Sequence, residues 1–74
     1  MKATQVMFTD RFHYIINGVK LETSEGVIYI EDATKEAIDT IIADWENEDT
    51  VLDRVMRRYV THDADDVKEY TGAW

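Results

Sequence analysis

Residues 31–49 show the clearest alternation of hydrophobic and polar positions, and they predict an amphipathic helix. Ile38, Ile41, Ile42 and Trp45 recur at helical spacing and form one apolar stripe. Most of the other positions carry polar side chains, and most of these are acidic. The stripe needs an apolar surface to cover, and the strand-like segments that precede it can supply one.

Three segments before this helix favour strands. Residues 19–23 alternate between apolar and polar side chains, which is the pattern of a half-buried strand. Residues 11–16 and 27–30 are rich in aromatic and β-branched side chains, which also favours strands. A shorter apolar run within residues 2–9 makes a fourth strand an alternative to a three-stranded sheet.

Two turns are predicted between these strands. Asn17 and Gly18 form the strongest short sequence signal for a tight hairpin, because both residues tolerate positive φ. We therefore predict that residues 12–16 pair with residues 19–23 across this turn. Residues 24–26 predict the second turn, since Gly26 can adopt a left-handed conformation.

Capping residues predict where the helices begin. Asp32 is the predicted N-cap of the first helix, which should end near Asn47. Asp49 or Thr50 should cap a second helix, and residues 63–70 predict a short third helix. The apolar face of the second helix comprises Val51, Leu52, Val55, Met56 and Tyr59.

Together these elements predict one α+β domain over residues 1–74. A small antiparallel β-meander of three or four strands packs against two or three short helices. The expected core between the helices and the sheet includes Ile41, Trp45, Leu52 and Val55. A chain of 74 residues buries only about 60% of its unfolded surface, so the core is small.

Charge narrows the classes of function. The chain has 16 acidic and 8 basic residues, and its net charge is −8. Such a field repels nucleic acid and anionic membranes and attracts basic surfaces, although acidity can also serve only solubility. The absence of cysteine and of a long apolar run leads us to expect a cytoplasmic protein, in a bacterial host if the protein is phage-encoded.

The candidate chemical groups do not form a known site. Asp63, Asp65 and Asp66 suggest a calcium loop, but the glycine and distal glutamate of an EF-hand are missing at their required spacing. His13 and His62 lie far apart in a chain without cysteine, so zinc is not expected. The single serine lies in a turn between glutamates. We expect no metal, no cofactor and no enzymatic activity.

Arg54, Arg57 and Arg58 form the one basic cluster. A nucleic-acid-binding helix is one interpretation of it. The other is that Asp53 pairs with Arg57 at helical spacing while the remaining arginines meet the acidic first helix. The net charge favours the second interpretation.

Carboxylates spaced along a helix can stand in for phosphates along a nucleic acid strand. The size, the acidity, the lack of cysteine and proline, and the plan of a sheet with an acidic helix resemble small phage-encoded inhibitors, including DNA mimics and anti-CRISPR proteins. The resemblance lies in composition and layout over the whole chain. It implies a non-enzymatic inhibitor that occupies a basic, nucleic-acid-binding surface of a host protein, such as a CRISPR effector, without binding nucleic acid itself. The partner-binding residues expected on this hypothesis are Glu36, Asp39, Asp44, Glu46, Glu48, Asp49 and Trp74.

One alternative function stays open. An acidic adaptor or antitoxin-like protein would bind its partner through apolar residues, and its charge would serve solubility. Trp74, the last residue, either folds back on the core or contacts a partner.

Overall fold

A five-stranded antiparallel sheet is the frame of the molecule. The structure, a computed structural model, describes residues 1–45 and 47–70. Its elements are β1 (Lys2–Thr9), β2 (Ile15–Thr23), β3 (Gly26–Glu31), α1 (Lys35–Asp44), α2 (Glu48–Arg58), β4 (Thr61–Asp63), a 3-10 turn (Ala64–Asp66) and β5 (Lys68–Glu69). The strand order is β4-β3-β2-β1-β5. The predicted α+β fold is confirmed, with five strands where three or four were expected.

The turn predicted at Asn17 and Gly18 is wrong, because β2 runs straight through both residues. Gly18 pairs with Val6 of β1 and with Glu31 of β3. A Cβ atom at Gly18 would lie 1.9 Å from the backbone oxygen of Ile30. The glycine is therefore needed for the close approach of β3 to β2, not for a turn.

The first turn lies earlier, at residues 10–14, which separate β1 from β2. The Asp10 carboxylate accepts hydrogen bonds from the backbone N–H groups of Phe12, at 2.9 Å, and Tyr14, at 3.3 Å. The Asp10 carbonyl accepts another from the N–H of His13, whose φ is 65°. Most of the segment predicted as the strand 11–16 is thus a turn, and His13 is not a strand residue, because a local aspartate-based turn outcompetes the strand tendency of the aromatic side chains.

The second predicted turn is confirmed. Ser24 and Glu25 connect β2 to β3, and Thr23 pairs with Gly26 across the hairpin. Gly26 has a φ of 143°, a conformation that other residues rarely adopt.

The first helix is shorter than predicted. Thr34 is its N-cap, with its hydroxyl accepting a hydrogen bond from the first turn. The Gln5 side chain of β1 accepts a second bond, of 2.8 Å, from the N–H of Lys35. Asp32, the predicted cap, lies two residues earlier with a φ of 53°. The helix ends at Asp44 rather than near Asn47.

The second helix is capped by Asn47, whose side chain accepts a hydrogen bond of 2.8 Å from the N–H of Asp49. The predicted caps, Asp49 and Thr50, lie inside the helix. The predicted ion pair between Asp53 and Arg57 is confirmed at 3.3 Å. Among the described residues, no helix is both long and apolar enough to cross a membrane.

Both helices lie on one face of the sheet and enclose the main core. Its buried residues are Ala3, Val19, Leu21, Ile30, Ala33, Ile38, Ile41, Val51 and Val55. Burial of Ile41 and Val55 is thus confirmed, whereas Leu52 is only partly buried against this cluster. Trp45 is 38% exposed because it follows the last turn of α1, and the guanidinium of Arg54 lies 4.5 Å above its ring.

The third helix predicted over residues 63–70 is wrong. β4 pairs with β3 at one edge of the sheet, and β5 pairs with β1 at the other. Only residues 64–67 connect these two short strands, so the sheet curls to bring its edges together. Unpaired edge groups gain strand partners in this way, and that gain outweighs a short isolated helix. His62 lies in β4.

The curled face opposite the helices has a small apolar cluster of its own. Phe8 is fully buried there, with its ring centroid 5.2 Å from that of Tyr29 and 6.0 Å from that of His62. Strand alternation places Phe8 on the side away from the helices.

Candidate functional site

The net charge is concentrated in one part of the chain. Residues 31–49 contain eight of the 16 acidic residues and only one of the 8 basic residues. This segment therefore carries −7 of the net −8. It comprises the turn before α1, α1 itself and the connection into α2, so the negative field arises from the helical side of the molecule.

Several of these carboxylates are displayed on the outer side of the helical layer. Glu36 and Asp44 are exposed, and Asp39 is half-buried in an ion pair with Lys35. Asp32 is exposed just before the helix, and Asp49 is exposed in the first turn of α2. We call these five residues the acidic face. None of them packs into the core, so all are available to solvent or to a partner.

Glu48 has a different environment from the other expected binding residues. Its carboxylate accepts hydrogen bonds from the backbone N–H of Ser24, at 2.7 Å, and from the Ser24 hydroxyl, at 3.0 Å. These bonds fasten the start of α2 to the β2–β3 turn. The Ser24 amide favours the charged form and so lowers the pKa of Glu48. Glu46 and Trp74 lie outside the described residues.

Glu48→Gln is expected to make the unfolding free energy less sensitive to acid. Because the pKa of Glu48 is lowered by folding, its stabilisation is fully present above the ordinary pKa of 4.5 and is lost as pH falls through the folded-state value. Urea titrations at pH 7 and pH 3 should show a smaller difference for this variant than for wild type. Glu25→Gln removes one charge from the same turn and is the control. An equal effect of both variants would contradict the role given to Ser24.

Two of the three arginines of α2 have partners among the described residues. Arg57 pairs with Asp53, and Arg54 covers the Trp45 ring. Arg58 makes no ion pair with any described residue. Acidic residues at the start of α2 and basic residues at its end complement the helix dipole. This arrangement favours a structural role for the basic cluster.

The end of the β1–β2 hairpin carries an exposed apolar surface that the sequence pattern did not predict. Phe12 is 63% exposed and Tyr14 is 69% exposed, and Met7 and Ile15 are also largely exposed. We call these four residues the hairpin tip. Residues 11–16 were expected to be a strand facing the core. Asp10 was the available signal, because aspartate often opens a turn by bonding to the backbone two residues on.

A shallow cavity of about 280 Å³ lies beside the hairpin tip, lined by Asp10, Arg11, Phe12, His62 and Asp66. His62 Nε2 lies 2.6 Å from Glu31 Oε2. A histidine oriented by a carboxylate is one component of nucleophilic catalysis. The lining residues include no serine, threonine or cysteine that could act as the nucleophile. In the fold, this pair links edge strand β4 to β3.

Residues 1–45 and 47–70 contain no group of three or more histidine, aspartate or glutamate side chains arranged to hold a metal ion. Asp63 ends β4, whereas Asp65 and Asp66 lie in the 3-10 turn.

Two surfaces thus stand out from the rest of the described chain. The acidic face concentrates charge, and the hairpin tip exposes aromatic side chains. Neither surface belongs to the core, so stability alone does not require them.

Comparisons with known protein families, with curated proteins and with solved structures find no match to this chain.

Proposed function

We propose that this protein is a non-enzymatic inhibitor whose acidic face occupies a basic, nucleic-acid-binding surface of another protein. The partner class comprises host-defence and nucleic-acid-processing proteins, including CRISPR effectors. The observation that carries the proposal is the concentration of −7 of the net −8 within residues 31–49. Carboxylates needed only for solubility would have no reason to gather in one quarter of the chain.

The spacing of the acidic face suits this role. α1 has ten residues and is therefore about 15 Å long. Glu36 and Asp44 lie near its two ends, while Asp32 and Asp49 extend the negative surface beyond them. A basic groove that binds a nucleic acid strand meets negative charge over a comparable length. Each exposed ion pair contributes only about 0.2–1 kcal/mol, so affinity requires several together.

The helices that carry the acidic face are fixed by caps at their first turns and by hydrogen bonds to the sheet. Thr34 and Gln5 cap α1, and Asn47 caps α2. Glu48 fixes α2 to the β2–β3 turn. These helices would therefore lose little conformational entropy on binding, and the summed field would accelerate association.

Reversal of three carboxylates is expected to abolish this binding. The acid-reversed variant carries Glu36→Lys, Asp39→Lys and Asp44→Lys. The matched control carries Glu25→Lys, Asp63→Lys and Asp65→Lys at exposed positions outside the charged segment. Both variants have the same net charge, so they differ only in where the field lies. Thermal unfolding should confirm that both are folded.

Wild type and both variants would be immobilised and incubated with nuclease-treated bacterial lysate. Retained proteins would be identified by mass spectrometry and then challenged with duplex DNA, RNA and rising salt. We expect nucleic-acid-binding proteins on wild type and on the control variant, released by competing nucleic acid and by salt. Their loss from the acid-reversed variant should be at least tenfold. Equal loss from both variants would show that only net charge matters and would contradict the proposal.

The hairpin tip favours a second candidate function. An acidic adaptor or antitoxin-like partner would bind through exposed apolar residues, as Phe12 and Tyr14 could do. Its partner would remain bound to the acid-reversed variant and would resist elution by salt. The same capture experiment therefore separates the two functions.

A further inference from the structure

We propose that the hairpin tip is the apolar anchor of the same interface, and that it inserts Phe12 and Tyr14 into an apolar recess bordered by basic side chains on the partner. This inference rests on the proposed function of the acidic face and adds what the partner must look like. It predicts one composite surface in which carboxylates speed association and aromatic rings slow dissociation.

The two surfaces adjoin each other in the fold. The backbone N–H of Asp32 donates a hydrogen bond of 2.9 Å to the carbonyl of Asn17. Asn17 is paired with Met7, and Ile15 lies two residues before Asn17 on the same face of β2. Asp32, the first residue of the acidic face, therefore has only β2 between it and Met7, where the hairpin tip ends.

Hydrogen bonds to Asp10 fasten the turn that carries Phe12 and Tyr14. Asp10 accepts hydrogen bonds from the backbone N–H groups of Phe12, His13 and Tyr14 through its carboxylate and carbonyl oxygens. The Arg11 guanidinium lies 4.9 Å above one face of the Phe12 ring. A tip ordered in this way exposes aromatic rings without a large entropic cost of binding.

Exposed aromatic rings on an ordered turn have the properties of an interface anchor. Four of the eight large hydrophobic side chains that are exposed among the described residues belong to the hairpin tip. Contiguous exposed apolar surface marks interaction sites in soluble proteins. Tyrosine and arginine are enriched among the residues that dominate binding energy.

Charge decides what kind of partner fits. A second copy of this chain would bring another net charge of −8, and nucleic acid or an anionic membrane would be repelled as well. The backbone of Asp32 is bonded to Asn17, two residues after Ile15, and Asp10 and Asp66 line the cavity beside Phe12. A protein surface that offers lysine or arginine around an apolar recess complements both features.

A random peptide library displayed on phage provides a probe that does not require the natural partner. Selection on wild type should enrich peptides with an aromatic or aliphatic residue next to lysine or arginine. The tip variant, Phe12→Ser with Tyr14→Ser, alters only exposed side chains and should keep the fold, which the amide NMR spectrum of the sheet would verify. The chosen synthetic peptide should bind at least about tenfold more weakly to the tip variant and to the acid-reversed variant. Glu25→Lys, at an exposed position in the β2–β3 turn, should bind within about twofold of wild type.

Each outcome distinguishes a role of the hairpin tip in binding from a role of the acidic face. Loss of binding in the acid-reversed variant but not in the tip variant would overturn this inference and leave the proposed function intact. Loss in the tip variant alone would overturn the inference of one composite surface and leave a separate apolar docking site, while the capture experiment with the acid-reversed variant decides the proposed function. The inference would also be overturned if selection enriched no peptides, or only peptides without basic residues. It would be overturned as well if wild type sedimented as a dimer and the tip variant as a monomer.

Discussion

Gly18→Ala is expected to remove about 3 kcal/mol or more of the unfolding free energy. The added Cβ would lie 1.9 Å from the backbone oxygen of Ile30 and 3.1 Å from the ring of Phe8. The first contact is with backbone, so only separation of β2 from β3 can relieve it. β2 is the central strand of the sheet, and β3 is its neighbour. A domain of this length has a total stability of roughly 4–11 kcal/mol, so the loss is a large share.

Asn17→Ala is the matched control for this prediction. If the dipeptide formed a hairpin turn, both residues would matter for turn geometry. In β2 the Asn17 side chain is exposed and makes only a long hydrogen bond, of 3.4 Å, with Gln5. Urea unfolding should therefore show a small effect, within about 0.5 kcal/mol, for the control. A similar cost for both substitutions would contradict the continuous strand.

Phe8→Ala is expected to cost about 3–5 kcal/mol. The Phe8 side chain is fully buried on the curled face of the sheet, between Tyr29, His62 and the position of Gly18. Its removal would leave a cavity that the short strands β4 and β5 cannot easily close. Because those strands are held to the sheet by few backbone bonds, we expect them to lose hydrogen-exchange protection first.

Phe12→Ala provides a control of the same residue type. Phe12 lies only four residues from Phe8, but it is 63% exposed at the hairpin tip. Its loss should change the unfolding free energy by less than about 0.5 kcal/mol. The pair therefore separates a stabilising phenylalanine from one that is free to bind. Equal losses would mean that the hairpin tip belongs to the core.

Several parts of this fold could be predicted from the sequence because they depend on local patterns. The alternation in residues 19–23 and the run 27–30 correctly identified two strands, and residues 24–26 identified their turn. The apolar stripes identified both helices, although their caps were misplaced by two or three residues. The concentration of acidic residues around the first helix is likewise a property of sequence alone. Strand alternation, helical periodicity and charge are visible within about a dozen residues, so no knowledge of distant contacts was needed.

The remaining features depended on residues that meet only in three dimensions. Gly18 is used for an approach by Ile30, which is distant in sequence, so its turn signal was misleading. Residues 61–63 and 68–69 form strands because β3 and β1 offer open edges to them, and these contacts outweigh local helix tendency. The exposure of Phe12 and Tyr14 follows from the Asp10 turn, while burial of Phe8 follows from the curl of the sheet. Sequence thus determined the elements with strong local periodicity and the acidity of the helical side. Tertiary pairing decided which glycine, which phenylalanine and which carboxylate stabilise the fold and which lie exposed at the surface.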